Sequence, residues 1–311
     1  MAIKVKKLHL LHPGEYEHPL DRQALNALEG TPGFEKLTRK ILKHGLERLV
    51  RLQYTGSYIK VNEKSFPEVY NILLEVCDTL HLKKIPELYV QRGGHINAFA
   101  IGSENPIISV TTDAVDLLTD DELRYLIGHE IGHIKSGHML YHTMAQIMPV
   151  IGKIIGSATL GIGGVVGVGI EYALLYWARM SELTADRAGL LACQNEDAMI
   201  TALIKAAGAP KKFFDQIEKD IFIEQAREFK EYDRDTLDKI GKIVMIMGST
   251  HPWTVMRASE ILKWIDSGAY EDIIKRHAET SEVGFKCHKC GAILIGNENF
   301  CGMCGSKLWG R

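Results

Sequence analysis

The chain has 311 residues, of which 46% are hydrophobic and 24% charged, so it is long enough for one large domain and a small one and is not disordered in composition. Its 37 Lys and Arg residues against 39 Asp and Glu residues give a formal net charge of −2 without a basic block, which removes the electrostatic case for nucleic-acid binding. The apolar run at residues 8–11 is too short for a signal peptide, and we therefore expect a cytoplasmic protein.

The predicted elements are mostly helical. Apolar residues recur every three or four positions over residues 21–52 and 65–82, which predicts amphipathic helices. Short apolar segments at 88–90, 96–101 and 107–110, separated by glycines and a prolyl turn, predict a small sheet of about three strands. Thr119 and Glu122 form a capping-box pattern, which predicts a helix to about Lys135. Further helices are predicted at 171–207, 210–230, 233–247, 254–267 and 269–279.

Residues 129–133, within the helix that follows Thr119, read His-Glu-Ile-Gly-His. Two histidines four positions apart lie on one face of a helix, one turn from each other, so both rings can bind one metal ion beside Glu130. His138 is a rival ligand, but five further residues on a continuous helix would place it about 140° away from His133. We therefore expect His138 to face elsewhere.

A catalytic zinc ion needs three protein ligands and an open position. Glu182, about fifty residues after the paired histidines, can supply the third ligand, and Asp186 can accept a hydrogen bond from a ligating histidine. Judged by spacing alone, a pair of surface carboxylates on a helix is an equally good interpretation of these two residues.

Lys153 is the only charged residue in the 28-residue stretch 143–170. If residues on both sides of this stretch bind one ion, both its ends lie on the same side of any membrane, which excludes a single crossing of about 20 residues. We expect a helical hairpin that is bent at the glycines of 161–169 and packed within the protein or a dimer interface. Insertion of the stretch into a membrane is the alternative.

Four of the six cysteines lie near the C-terminus as two C-x-x-C pairs separated by ten residues: Cys287, Cys290, Cys301 and Cys304. In a reducing compartment, such pairs indicate metal binding before disulfides. Four thiolates form a closed structural site, so we predict a zinc ribbon, with iron as the alternative metal.

Several motifs in this order make the chain resemble the zinc metallopeptidases that include the CAAX prenyl endopeptidase and HtpX, known as metallopeptidase family forty-eight. The resemblance covers about residues 66–265. It depends on four segments: Asn97-Ala98-Phe99-Ala100, the His-Glu-Ile-Gly-His segment, Arg179-x2-Glu182-x3-Asp186, and Thr250-His251-Pro252 followed by Arg257. Ala178, where the family often has serine, and the cysteine tail depart from the family pattern.

The resemblance implies a role for each matching residue. His129, His133 and Glu182 would bind zinc, Glu130 would act as general base, Asp186 would support a ligand from the outer shell, and His251 would lie near the transition state. Asn97, Ala98 and Phe99 would bind an extended substrate, although an ordinary core strand is the interpretation that the residues alone favour.

We therefore predict a mostly α fold with a small β-sheet, an α+β zincin-like metallopeptidase core, followed by a small C-terminal zinc ribbon. The predicted segments are an N-terminal helical segment (1–64), the peptidase domain (65–279) and the ribbon (284–311). We expect an endopeptidase of protein quality control with one catalytic and one structural zinc ion. It would act on peptide or protein substrates and have no nucleic-acid partner.

The alternative function is a zinc-stabilised binding or adaptor protein that presents its ribbon and has little or no peptidase activity. The sequence also allows association with a membrane through residues 143–170 and formation of a homo-oligomer.

Overall fold

A computed structural model of the protein describes residues 5–31, 34, 38, 46–102, 105–145, 162–231, 252–278, 285–287, 289–290, 292–294, 300–301 and 303–306. Its first part contains α1 (Pro13–Tyr16), α2 (Pro19–Glu29), α3 (Leu46–Ser57), β1 (Ile59–Val61), α4 (Pro67–Thr79), β2 (Glu87–Gln91), β3 (Ala98–Ile101) and β4 (Ile107–Thr111). It continues with α5 (Thr112–Leu117), α6 (Asp120–Lys135), α7 (Ile162–Cys193), α8 (Glu196–Ala206), a 3-10 helix (Lys211–Gln216), α9 (Lys219–Glu231), α10 (Thr254–Asp266), α11 (Ala269–Ala278), β5 (Phe285–Lys286) and β6 (Ile293–Leu294). The mostly helical prediction is confirmed, whereas the helix predicted at 233–247 lies outside the described residues.

The larger sheet has four strands in the order β1-β2-β4-β3. Strand β2 is parallel to β4, whereas β1 and β3 are antiparallel to their neighbours. The sequence predicted three strands because β1 buries only Val61 of its three residues, and one buried position does not produce an alternating pattern. Strand β3 lies at the edge of the sheet, next to α6.

Helix α6 begins as predicted, with reciprocal hydrogen bonds between Thr119 and Glu122. It ends at Lys135, and Gly137 adopts a left-handed conformation with φ of +76°. Such a residue just beyond the last turn is a common way to end a helix. The chain after Gly137 therefore changes direction instead of continuing the turn.

Helix α7 runs without interruption from Ile162 to Cys193. Gly163, Gly164, Gly167 and Gly169 lie inside this helix, so the predicted bend at the glycines is wrong. A glycine costs a helix about 1 kcal/mol relative to alanine but keeps its backbone hydrogen bonds. The remainder of the predicted hairpin, residues 146–161, lies outside the described part of the chain.

The single helix predicted at 171–207 is divided into α7 and α8. Gln194 between them has a positive φ of +48°, and the Asn195 side chain caps α8 by accepting a hydrogen bond from the Ala198 amide. No helix among the described residues is both long enough and apolar enough to cross a membrane.

Close contact between α6 and α7 depends on small residues. A Cβ atom at Gly128 would lie 2.3 Å from the Cβ of Ala192, and one at Gly132 would lie 2.6 Å from the Cβ of Ala188. Real Cβ atoms do not approach so closely, so only glycine permits this distance between the helix axes. The histidines of α6 consequently lie within reach of the carboxylates of α7.

Two apolar cores support these helices. The larger core joins the sheet with α4, α6, the C-terminal part of α7, α8, α10 and α11. The smaller one surrounds the buried Trp177 of α7 and includes Ala24 and Leu28 of α2. The N-terminal helices thus pack directly on the helix that carries Glu182, and the predicted division at residue 64 stays a prediction.

Candidate active site

Three side chains from α6 and α7 converge at one point. His129 Nε2 lies 3.2 Å from His133 Nε2, and the Glu182 carboxylate approaches these nitrogens to within 3.4 and 3.2 Å. All three residues are at most 5% exposed. The helical spacing of four residues places both rings on one face of α6, as predicted, and the glycine contacts bring that face against Glu182.

The donor atoms fit a zinc ion. Zinc in a tetrahedral site binds nitrogen and oxygen at about 2.0–2.2 Å, which requires neighbouring donors to be about 3.3–3.6 Å apart. The distances between the three donors fall close to this range. A metal ion between these atoms would accept a lone pair from each ring nitrogen, and the Glu182 carboxylate would offset part of its charge.

The histidines differ in their affinity for a proton. Burial lowers the pKa of His133 to about 4, which keeps its ring neutral. Burial also lowers the pKa of His129, but hydrogen bonds to Asp186 and Glu182 raise it more strongly, to about 9. Because a metal ion binds only the neutral ring, it would replace this proton of His129 as the positive charge beside the carboxylates.

Asp186 lies where the sequence predicted an outer-shell residue. Its carboxylate is 2.9 Å from His129 Nδ1, accepts a hydrogen bond of 2.8 Å from the Tyr125 hydroxyl, and forms an ion pair with Arg257 of α10. Burial would raise the pKa of Asp186, but Arg257 and His129 lower it well below its usual range. The charged carboxylate thereby orients His129 so that Nε2 points to the centre of the site.

Glu130 is buried beside the same site, and the backbone of Ala100 in β3 is close enough to its carboxyl to lower the pKa. Burial raises the pKa of Glu130 to about 7, in spite of opposing effects of His129 and Arg257. The carboxyl can therefore exchange a proton near neutral pH.

The backbone groups of strand β3 point alternately towards β4 and away from it. The backbone N–H and C=O groups of Asn97 are both bonded to Thr111, on the side of β4. Since backbone groups alternate along an antiparallel strand, those of Ala98 and Ala100 point away from β4. No other described strand pairs with β3 on that side, which we call its open edge. The Phe99 ring packs against Tyr54, with 5.9 Å between ring centroids.

His138 does not face elsewhere, so that expectation was wrong. Its Nδ1 lies 3.0 Å from Nδ1 of His133. The reason is the left-handed Gly137, which ends α6 and brings the chain back towards the ring. A glycine four residues after a paired histidine was the signal that a continuous helix should not be assumed.

The predicted site residues that remain are His251 and the four cysteines near the C-terminus. His251 lies outside the described residues. The sulfur atoms of Cys287, Cys290, Cys301 and Cys304 all lie within 4.8 Å of one another, near the spacing of about 3.8 Å that tetrahedral zinc–sulfur bonds of about 2.3 Å require. Backbone amides of Lys289 and Met303 point to two of these sulfurs at 3.4 Å.

Comparison with known proteins identifies the family. Residues 63–265 match the family described as Peptidase family M48. The chain is 31% identical over 276 residues to the plastoglobule-localized metallopeptidase 48 of Arabidopsis thaliana, a match that covers 88% of this chain and 78% of that protein.

Two bacterial relatives, each named as a homolog of the protease HtpX, are more distant. The one from Burkholderia lata is 25% identical over 72% of this chain and 83% of its own length, and the one from Ralstonia pickettii is 26% identical over 53% and 65%. No solved structure matches the chain. The matches confirm the resemblance found in the sequence: the chain belongs to peptidase family M48 and is a zinc metalloprotease.

Proposed function

We propose that this protein is an endopeptidase that cleaves extended segments of unfolded or damaged proteins, with zinc bound by His129, His133 and Glu182. The observation that carries the proposal is the convergence of these three buried side chains beside Glu130 and the open edge of β3. The proposal thus combines a metal donor set, a proton carrier and a peptide-binding edge at one place.

When bound, zinc supplies a Lewis acid that activates water and polarises the carbonyl group of the scissile peptide. Glu130 accepts the proton of the attacking water on its carboxylate and then delivers it to the nitrogen of the leaving amine. A pKa near neutrality suits both transfers. Asp186 maintains the orientation of His129 throughout, since Tyr125 and Arg257 hold its carboxylate in place.

The substrate is proposed to add a strand to the open edge of β3. Ala98 would offer its backbone groups to the peptide, whereas Asn97 and Phe99 would contact it through their side chains. Recognition through the backbone depends on an extended conformation more than on sequence. This favours broad specificity for unfolded chains, which is the basis for proposing quality control.

The decisive test separates proton transfer from metal binding. Glu130→Gln should reduce cleavage of an unfolded protein such as reduced casein by at least about 10²-fold, because general acid–base catalysis contributes about that much. The same variant should retain its zinc, as measured by atomic absorption, since Glu130 is not a ligand. Loss of zinc from Glu130→Gln would contradict the proposed roles.

The variants His133→Ala and Glu182→Ala are the matched controls, because each should lose both activity and the zinc ion of this site. If either kept both, the ligand set would be wrong. The alternative adaptor function predicts a different outcome, in which wild-type protein with full zinc content cleaves no unfolded protein while a partner still binds the ribbon.

We propose a cytoplasmic location, on the argument that residues on both sides of 143–170 meet at one site and that one membrane crossing cannot achieve this. After lysis without detergent, most of the protein should remain in the high-speed supernatant. Recovery only in the membrane pellet, with release by detergent, would favour attachment through residues 143–170.

A further inference from the structure

The second zinc-binding histidine has a hydrogen-bonded support that lies partly outside the region shared with the family. Nδ1 of His133 is 3.0 Å from Nδ1 of His138, and Nε2 of His138 is 3.2 Å from Oδ2 of Asp21 on α2. His138 and Asp21 are 4% and 1% exposed, so water does not compete for these contacts. Asp21 precedes the matched residues 63–265.

The chemistry of these groups determines the direction of every hydrogen bond. Nε2 of His133 must carry a lone pair to bind a metal ion, so the proton of that ring is on Nδ1 and is donated to Nδ1 of His138. The proton of His138 is then on Nε2, where Asp21 accepts it.

The carboxylate of Asp21 is itself held by the protein. The Thr184 hydroxyl donates to its Oδ2 at 2.6 Å, and the backbone amide of His18 donates to the Thr184 hydroxyl at 3.0 Å. Thr184 belongs to α7, two residues from Glu182. The same helix therefore carries a proposed zinc ligand and the anchor of the group that orients another ligand.

We propose that His138 and Asp21 are positioning residues, which hold the ring and the tautomer of His133 for metal binding. This inference rests on the ligand set given under the proposed function. Asp186 does the same for His129, so each histidine ligand is oriented by its own carboxylate, directly for His129 and through His138 for His133.

A second metal ion held by His133, His138 and His142 is the competing interpretation, since donor atoms of these residues also lie within 4.8 Å of one another. The hydrogen bonds argue against it. While His133 binds zinc through Nε2, its Nδ1 carries a proton, and both nitrogens of His138 are engaged. No lone pair of His133 or His138 remains for a second ion.

The test compares metal binding in full-length variants. His138→Leu should raise the zinc dissociation constant of the peptidase site about 10- to 100-fold, the usual effect of losing an outer-shell partner. His138→Gln should stay within a few-fold of wild type, because its amide oxygen can accept from His133 while its NH₂ group donates to Asp21. Cobalt substitution separates the two metal sites, since only thiolate-bound cobalt absorbs strongly in the near ultraviolet.

Asp21→Leu is a second test that does not depend on the folding of His138→Leu. It removes the oxygen that accepts from Nε2 of His138, so the ring of His138 is no longer held in the tautomer that accepts from His133. We expect at least a tenfold loss of zinc affinity, whereas Asp21→Asn should stay within a few-fold of wild type because its amide oxygen can still accept from Thr184 and His138.

His277→Leu is the matched control. His277 is also buried, and its ring bonds to Glu15 and to the His9 carbonyl, also in the N-terminal segment. This variant should lose thermal stability without any change in zinc affinity. A merely structural role of His138 would make its Leu variant behave in the same way.

Two results would overturn the proposal: wild-type zinc affinity in folded His138→Leu or Asp21→Leu, or equal losses of zinc affinity in His138→Leu and His138→Gln. Failure of the ligand set is distinguishable, because His133→Ala would then bind zinc as tightly as wild type.

Discussion

At the scale of single residues, the site depends on which nitrogen each histidine directs inward. Both His129 and His133 use Nδ1 for a hydrogen bond and leave Nε2 for the centre of the site. The hydrogen-bond partner determines which ring nitrogen carries the proton, because a free imidazole exchanges its two tautomers readily. In the proposed chemistry, Asp186 and His138 therefore determine which nitrogen of each ligand faces the metal ion.

A pH dependence of stability follows from another buried contact. Burial would raise the pKa of Glu260, but His18 and Lys263 lower it to about 2, from an ordinary value of 4.5. A folded-state pKa below the unfolded one stabilises the protein above about pH 4.5, and this contribution is lost as pH falls towards 2. Glu260→Gln should thus reduce the free energy of unfolding at pH 7 by about 1.5–3 kcal/mol. In urea titrations, the difference in unfolding free energy between this variant and wild type should decrease between pH 4.5 and 2.

Glu271→Gln is the control for this prediction. Glu271 pairs with Lys275 on the surface, with both side chains more than 60% exposed, so its loss should not change stability measurably at any pH. If the difference in unfolding free energy between wild type and Glu260→Gln stayed constant from pH 7 to 2, the charge of the carboxylate would not contribute to stability.

At the scale of elements, the distance between α6 and α7 determines whether the donors can meet. Ala185, Ala188 and Ala192 of α7 contact the glycine face of α6. The two helices also carry His129, His133 and Glu182. A shift between the helices would therefore move the proposed ligands of one helix relative to the proposed ligand of the other.

Gly132→Ala should separate the helices, because its Cβ would lie 2.6 Å from Ala188 and 3.2 Å from the Ala185 backbone. We expect a loss of about 1–3 kcal/mol in the free energy of unfolding together with weaker zinc binding. Chemical denaturation and chelator competition measure these effects.

Gly56→Ala in α3 is the opposite case, since its Cβ would have no atom of the described residues within 4 Å. Replacing a helical glycine with alanine should stabilise the protein there by about 0.5–1 kcal/mol. If both variants were stabilised, the close packing of α6 on α7 would not limit the position of the ligands.

At the scale of the whole molecule, the described N-terminal helices and the cysteine cluster lie outside residues 63–265, which match the family. Helix α2 carries Asp21, the proposed positioning residue, and the His18 side chain contacts Glu260 of α10. The cysteine cluster has its own four donors and shares none with the histidine site.

We accordingly expect two zinc ions per chain. Exchange of Cys301 and Cys304 for serine should reduce the zinc content from two ions to one, because a site with two remaining thiolates cannot hold the ion tightly. The zinc of the histidine site should stay bound, as cobalt spectra can verify. An unchanged zinc content in this variant would remove the assignment of the ribbon.

The sequence alone determined the features that depend on local spacing. The capping box at Thr119, the two histidines one turn apart and the C-x-x-C pairs are short-range patterns, and the backbone geometry of a helix or turn converts them directly into positions. The mostly helical fold and the metallopeptidase family were accessible for the same reason, since both depend on periodicity and motifs within short segments.

Only the tertiary structure decided the contacts between distant segments. From their spacing, Glu182 and Asp186 could equally well have been a surface pair. In the structure both carboxylates contact histidines of α6, because the glycines of α6 allow α7 to pack closely against it. Asp21 lies 117 residues before His138 in the sequence and touches it only through the packing of α2 on α7. Such contacts depend on long-range packing, which no local pattern encodes. The position of His138 differed from the prediction because the left-handed Gly137 ends the helix that was assumed to continue.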